Sequence, residues 1–369
     1  MRAIGVILAG GNNDRLKELT DSRATSAMPV GSCYRAIDFP LSNMSNSSIN
    51  KVAIMTQYNS RSLHDHLNSS KWWDFGSKQG GLFVFTPFLS RNNNFWFRGT
   101  ADSIYQNIAY LKRSNEPYVV IASGDGIYKM DYNDIIDFHE EKQADITIVC
   151  KDMHNMDVKS FGIVSIDNQN KLLEFEEKPI EVFSSTISLG IYVMKRELLM
   201  ELLEEIINEG RFDLVRDIII RYRKKLKIFG YIYDGYWSTI NSIDSYYNIN
   251  MDFLRNDVRH SLFSSEPYIE TKRKDEPPAK YNANSEVKNS LVGCGSIIDG
   301  YLENSVIFRS VRISEKATVS NSIILEGCSI GHGCIVENAI LDKYVKLSNG
   351  SIVKGEINNP KIIKKGSSL

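Results

Sequence analysis

The chain has 369 residues, 44 Lys and Arg against 45 Asp and Glu, and a formal net charge of −1. That length supports about two domains. The balanced charge gives no general attraction to nucleic acid or anionic lipid, and no apolar run approaches the ~18 residues that a membrane span needs. Met1-Arg2-Ala3-Ile4 enters an apolar strand at once, which leaves no room for a signal peptide. The five cysteines, Cys33, Cys150, Cys294, Cys328 and Cys334, are an odd, scattered set. They read as reduced thiols of a cytoplasmic protein.

The first strand, Ile4-Gly5-Val6-Ile7-Leu8-Ala9, runs straight into Gly10-Gly11-Asn12-Asn13-Asp14-Arg15-Leu16, then Leu19-Thr20 and Arg23-Ala24-Thr25-Ser26. A buried strand followed by glycines and a basic residue brings backbone N–H groups up to a phosphate. Further apolar runs, Val52–Met55, Tyr118–Ala122 and Ile146–Val149, suit strands buried on both faces. Helical stretches lie between strands, notably Ser103–Ser114 and Lys195–Asn208, the second closed by Gly210. This alternation predicts an α/β domain over residues 1–254, Rossmann-like, with a mainly parallel sheet and ligands at the carboxyl ends of its strands. Gly10, Gly11 and Asp125 fall just after strands, where that rule puts a site.

Residues 255–285 read as a linker, with Glu266-Pro267 and Lys272-Arg273-Lys274-Asp275-Glu276-Pro277-Pro278 breaking regular structure. The basic triplet reads as a solvated face in preference to a phosphate site. From 286 to 369 the chain repeats. Asn304-Ser305-Val306-Ile307, Asn321-Ser322-Ile323-Ile324 and Asn338-Ala339-Ile340-Leu341 follow an imperfect first copy, Asn289-Ser290-Leu291-Val292. Paired apolar residues with small residues between them predict a left-handed β-helix of hexapeptide repeats. Val306, Ile323 and Ile340 are expected to point inward as its core, and the asparagines to turn corners and stack. Such a helix is an assembly surface.

The glycine loop resembles the signature of sugar-nucleotide pyrophosphorylases, G-G-x-G-x-R-L-x-x-L-T with a Lys-Pro a few residues on. The continuation Tyr34-Arg35-Ala36-Ile37-Asp38-Phe39 with Leu41-Ser42-Asn43 resembles one branch, glucose-1-phosphate adenylyltransferase (ADP-glucose pyrophosphorylase). Thr56-Gln57-Tyr58, Gly99-Thr100-Ala101-Asp102, Ser123-Gly124-Asp125, Glu177-Lys178-Pro179 and Gly190-Ile191-Tyr192 follow in that family's order. The resemblance spans nearly the whole chain, and it implies the fold just described with a β-helix that helps build a tetramer.

The departures carry as much as the matches. The third loop glycine is Asn13, and the Lys-Pro is Thr25-Ser26. In the resembling family two aspartates hold Mg²⁺. One matches Asp125, but the other lies in Tyr-Trp-x-Asp-Val-Gly-Thr, where this chain has Tyr236-Trp237-Ser238-Thr239-Ile240-Asn241-Ser242. Thr239 supplies no charge to a cation that prefers anionic oxygen. Thr25 cannot neutralise a phosphorane as the family's lysine does. Leu8, Gly10, Gly11 and Arg15 remain as the nucleotide loop. Arg15 reads equally as a phosphate ligand or as a brace on backbone carbonyls, and Asp125 as an incomplete metal ligand or a retained structural carboxylate. Lys178 matches the lysine that contacts the sugar phosphate, and Glu177, Ser188 and Asp213 match polar positions around the hexose. Phe212–Asp217 departs from the family's His-Asp-Phe-Gly-Lys-Asp.

This combination resembles the second, regulatory subunit of the two-subunit enzymes of Gram-positive bacteria, acting in glycogen synthesis. The expectation is a chain with little catalysis of its own that joins a catalytic subunit in a hetero-tetramer, or itself, and answers to a sugar-phosphate or nucleotide effector. Arg35 and Arg91 are candidate anion contacts. The alternative is an active nucleotidyltransferase with a metal site rebuilt from Asp14, Asp102 or Asp131. An acyltransferase working through His332 of the β-helix is a third reading. Trp72, Trp73 and Trp96 are read as core or interface, and Cys328, His332 and Cys334 as parts of the repeat in preference to a zinc site.

Overall fold

A computed structural model describes residues 2–11, 13–76, 80–88, 95–154 and 158–369. Arg91 and Asn12 lie outside the described residues. Strand β1 is Ala3–Ala9, followed by β2 Lys51–Thr56, β3 Gly81–Phe85, β4 Tyr118–Ser123, β5 Ile146–Asp152, β6 Gly162–Ile166, β7 Leu172–Glu177, β8 Thr186–Lys195 and β9 Ile228–Ile232. Among the described residues they form one nine-stranded sheet in the order β7-β6-β8-β4-β1-β2-β3, with β5 also on β8 and β9 on β5.

The sheet is mixed. β3, β2, β1 and β4 run parallel, and they are the strands that deliver the glycine loop and Asp125. β8 runs antiparallel to β4, β5 and β6, and β7 antiparallel to β6. β1 is buried on both faces, with Ile4, Val6 and Ile7 wholly covered, as its unbroken apolar run requires. Gly5 permits the tightest approach in this strand. A Cβ there would stand 2.8 Å from Met44 Sδ, on the helix Asp38–Asn46.

The helix Arg196–Asn208 buries Leu199, Leu202, Leu203 and Ile206, a 3.6-residue stripe, and ends before Gly210 at φ +74°. The single helix expected over Ser103–Ser114 is instead two, Thr100–Tyr105 and Ile108–Lys112. The break falls at Asn107, whose side chain donates to Ser103 O at 2.9 Å and so competes with the backbone ladder.

The stretch read as a linker is more structured than expected. Asn256–Arg259 and His260–Ser264 are helical turns, and Lys280–Tyr281 already pairs with Ile297–Ile298 in the β-helix. The first coil therefore begins at residue 280, not 286. The prolines interrupt the segment but Val258 and Leu262 anchor it, because both are buried in the core between the two halves.

The C-terminal half has three parallel five-stranded sheets, the sides of the left-handed β-helix. Successive coils match Val306 to Ile323 and Ile323 to Ile340. Asn289, Asn304, Asn321 and Asn338 turn the corners with φ from 39° to 48°, a conformation Asn tolerates. The ladder beside them is mainly one of serines. Ser305 N bonds Ser290 Oγ, Ser322 N bonds Ser305 Oγ and Ala339 N bonds Ser322 Oγ, each at 3.1 Å.

One expectation is reversed. Val306, Ile323 and Ile340 do not line the coil interior, which is filled by Ile307, Ile324 and Leu341 with Ile298, Ile313, Val319 and Ile330. They point outward and are buried against Leu16, Leu19, Tyr246, Ile249 and Phe253 of the N-terminal half. Adjacent strand residues face opposite ways, so an apolar pair has one member on each side. The second member reveals a docked face.

Candidate functional site

The loop leaves β1 through Leu8, half-buried, and Gly10 and Gly11. A Cβ on Gly11 would meet nothing within 4 Å, so the loop is open to a ligand there. Asn13 stands in place of the third loop glycine, yet its backbone is extended (φ −126°, ψ 91°), and it is Lys17 that takes the left-handed conformation (φ 47°). Asn13 instead works through its side chain. Its Oδ1 accepts from Arg15 N at 3.2 Å and its Nδ2 donates to Ile240 O at 3.4 Å. This amide ties the phosphate loop to the strand that carries Thr239. The Arg15 side chain is exposed.

Asp125 follows β4 and stands between these elements. The short strand Trp237–Thr239 pairs antiparallel with Gly126–Tyr128, setting Thr239 opposite Gly126, and Ile240 N donates to Asp125 O at 3.2 Å. Burial pushes the Asp125 carboxyl above the usual carboxylate range, while hydrogen bonding from Ser123 and Thr239 pulls it back in part. Ser123 Oγ donates to Asp125 Oδ1 at 2.5 Å. Thr25 is buried in the turn Thr25–Ala27. A Cβ on Gly124 would lie 2.7 Å from Ser26 Oγ and 3.1 Å from Ala9 Cβ, so this turn packs directly on the Gly-Asp motif. The structure thus gathers Gly10, Asn13, Thr25, Asp125 and Thr239 at one strand edge. Its donor set for Mg²⁺ is one carboxylate already bonded to a serine, facing a neutral threonine. That set offers one of the anionic oxygens such a cation prefers, and the neutral threonine supplies no second charge.

The residues that the sequence resemblance matches to a sugar-phosphate site lie across Ser123, whose Cβ is 3.7 Å from where a Cβ on Gly190 would be. Gly190 (φ +70°) sits where the β8 register shifts between Ser188 and Tyr192, a bulge that re-aims side chains. Ser188 Oγ and Tyr192 Oη are 3.4 Å apart. Burial raises Glu177, Asp213 raises it further, and Lys178 and Arg216 oppose them, so these four charges share one site. Lys178 is exposed, 3.9 Å from Glu177 Oε1, and has left-handed backbone (φ 51°), a strained state that non-glycine residues seldom keep without a reason. Asp213 is partly spent, since its Oδ1 caps the helical turn Val215–Ile220 through Val215 N and Arg216 N at 2.9 and 2.8 Å. Arg35 is committed to Ser62, O and Oγ, at 2.7 and 3.0 Å.

Comparison with known proteins decides the family. The nucleotidyl transferase family model matches residues 4–256, and the GlmU-like C-terminal hexapeptide model matches 277–359. The glucose-1-phosphate adenylyltransferase of Pseudothermotoga lettingae is 39% identical over 86% of this chain and 76% of its own. That of Geobacillus stearothermophilus is 37% identical over 86% and 83%, and that of Clostridium perfringens 37% over 86% and 81%. The chain belongs to the glucose-1-phosphate adenylyltransferase family. Nucleotidyltransferases of this kind generally use Mg²⁺, which sharpens the contrast with the donor set described above.

Within that family frame, other carboxylates are occupied structurally. Asp102 is fully buried and bonded to Arg98 and Gln106, and Asp131 caps the helix Tyr132–Glu141 through Asn133 N at 2.9 Å. Asp14 opens the turn after the loop. His332 is exposed, while Cys328 and Cys334 donate to Asp342 O and Ser348 O at 3.0 Å. Among the described residues no group of three or more potential ligands is placed to hold a metal, and no helix is long and apolar enough to cross a membrane. Trp73 is core and Trp72 packs against it, but Trp96 is 63% exposed and stacks on Tyr58, so it is not core. Arg216 was not singled out from sequence, although it stands at the lysine position of the His-Asp-Phe-Gly-Lys-Asp stretch and so keeps its positive charge.

Proposed function

We propose that this chain is a regulatory or stabilising subunit of a glucose-1-phosphate adenylyltransferase, with little or no catalysis of its own. The catalysed reaction, carried by a partner subunit, joins ATP and glucose 1-phosphate into ADP-glucose and pyrophosphate for glycogen biosynthesis. The observation that carries this reading is Asp125. Its carboxylate is bonded to Ser123 and faces Thr239, with Thr25 where a phosphate-neutralising lysine is needed. Adenylyl transfer depends on positioning and charge neutralisation. Losing one preorganised charge costs on the order of 10²–10³ in rate, and these losses fall on one transition state.

The scaffold supports the other half of the reading. The sheet, the glycine loop and the docked β-helix are all kept, which favours a protein selected for assembly. The partner is a catalytic subunit in a cytoplasmic hetero-tetramer, with self-association and a sugar-phosphate or nucleotide effector also within reach of the fold. Mixing purified chain with a catalytic homologue tests this. A hetero-oligomer by light scattering, with altered partner kinetics, is expected. Separate elution and unchanged kinetics would sink the proposal.

A further inference from the structure

Among the described residues the large sheet ends in three edge strands, β3, β7 and β9. Two of them are guarded. β7 carries Glu174, Glu176 and Glu177, and charges on an edge discourage a foreign strand from pairing there. β9 is partly covered, since Gly230 N donates to Asn170 O at 2.8 Å and Lys171 bridges to Phe229. β3 is different. Its sequence, Gly81-Leu82-Phe83-Val84-Phe85, has neither charge nor proline. None of its residues is fully covered, and Phe83 is 39% exposed.

The inner neighbour fixes which backbone groups of β3 are spent. Gly81 pairs with Lys51 of the parallel strand β2, and its N–H donates to Asn50 O at 2.8 Å. Alternate residues bond to alternate sides of a strand, so Gly81, Phe83 and Phe85 turn their backbone groups to β2. Thr56 Oγ1, which donates to Phe85 O at 3.3 Å, lies on that same side. The N–H and C=O groups of Leu82 and Val84 face outward. Side chains alternate as well. Leu82 and Val84 pack on one core of the sheet. Phe83 and Phe85 lie on the opposite face against Tyr110, with ring centroids 5.7 and 5.8 Å from it.

We propose that β3 is a self-pairing edge: a second copy of this chain adds its own β3 antiparallel, about a two-fold axis through Phe83. That axis sets Leu82 opposite the partner's Val84 and Val84 opposite the partner's Leu82. The outward N–H and C=O groups of both strands are then exchanged. Phe83 meets the partner's Phe83 in the closer, non-hydrogen-bonded pairing, with Cα atoms about 4.5 Å apart, where aromatic pairs stabilise a sheet. Phe85 falls opposite the partner's Gly81, which has no side chain to crowd it. A two-fold axis sets the central side chain against itself, which a charged strand resists and this uncharged one does not. The contact is isologous, so it closes at two copies. The edge is the same whether or not the chain catalyses, so self-pairing stands apart from the regulatory reading.

The test is sedimentation velocity of the full chain over about a hundredfold range of concentration. Wild type is expected to self-associate reversibly. Phe83→Glu and Phe83→Lys are each expected to weaken that association at least about tenfold, because like charges meet at the axis. An equal mixture of the two is expected to associate as tightly as wild type or better, since opposite charges then face each other. A folding defect is not mended by mixing. Wild type that stays a single chain, variants that associate as wild type does, or a mixture no tighter than either variant alone overturns the proposal. So does wild type that pairs only with a catalytic homologue, which would put another occupant on the edge. If the charged variants do not fold, Phe83→Cys serves, because the close pairing brings the two thiols within bridging range. Diamide is expected to give several times more covalent dimer from Phe83→Cys than from wild type, and no excess overturns the pairing.

Discussion

The Arg23 guanidinium holds the Asp342 carboxylate at 2.6 and 2.9 Å, with the two side chains only 4% and 2% exposed. Arg23 lies two residues before Thr25, beyond the glycine loop, and Asp342 directly follows the repeat Asn338-Ala339-Ile340-Leu341. The segment that carries Thr25 and the β-helix are thus joined by a buried ion pair. Breaking such a pair strands a charge and costs about 3–5 kcal/mol. Asp342→Ala is therefore expected to lower stability by that amount, read by urea denaturation, and a loss under 1 kcal/mol contradicts the coupling.

Asp125 gives a prediction of opposite sign. Its carboxyl is raised by burial, so between its ordinary value of 3.8 and the folded value the native state binds more protons, and ionising it above that range costs stability. Asp125→Asn is expected to raise Tm at pH 7. Excess Mg²⁺ is expected to shift the Tm of neither protein. A clear Mg²⁺-dependent rise in wild type alone would show that Asp125 holds metal.

Acid stability should be lost in two windows. Burial holds His139 down at about 4 against an ordinary 6.5. The unfolded chain then takes the proton first, and stability falls as pH drops from 6.5 toward 4. Glu326 is depressed from 4.5 to about 2, so its contribution is complete above 4.5 and lost as pH falls toward 2. Each group supplies a slope approaching about 1.4 kcal/mol per pH unit. His139→Gln should flatten the upper window and Glu326→Gln the lower, by denaturation across pH.

Repair of the site is a gain-of-function test. Thr25→Lys with Thr239→Asp restores two charges beside Asp125, and Asn13→Gly releases the loop from Ile240. Measurable ADP-glucose synthesis by the triple variant, read by chromatography of the nucleotide products, is expected. No product would mean that Phe212–Asp217, where Asp213 already caps a helix, has changed the pocket as well.

The sequence carried the architecture and the contents of the site because both are written in local signals. Strand runs, glycines and the Asn repeat each announce themselves within a few residues. What it hid depends on partners distant in the chain. The inward and outward members of Val306-Ile307 look alike until the docked Tyr246 and Phe253 are seen. Asn13 reads only as a lost loop glycine until Ile240 O is seen to accept from its amide. Asp342 did leave a trace. Phe308 and Leu325 hold the equivalent position in earlier repeats, and an acid replacing an apolar residue there marks a buried partner.

The most direct measurement of the central claim is pyrophosphate release by the purified chain given ATP, glucose 1-phosphate and Mg²⁺. The account predicts no turnover above background from the chain alone, and a changed rate once a catalytic subunit is added. Robust turnover by the chain alone would contradict it, and would mean that residues other than Thr25 and Thr239 supply the missing charges.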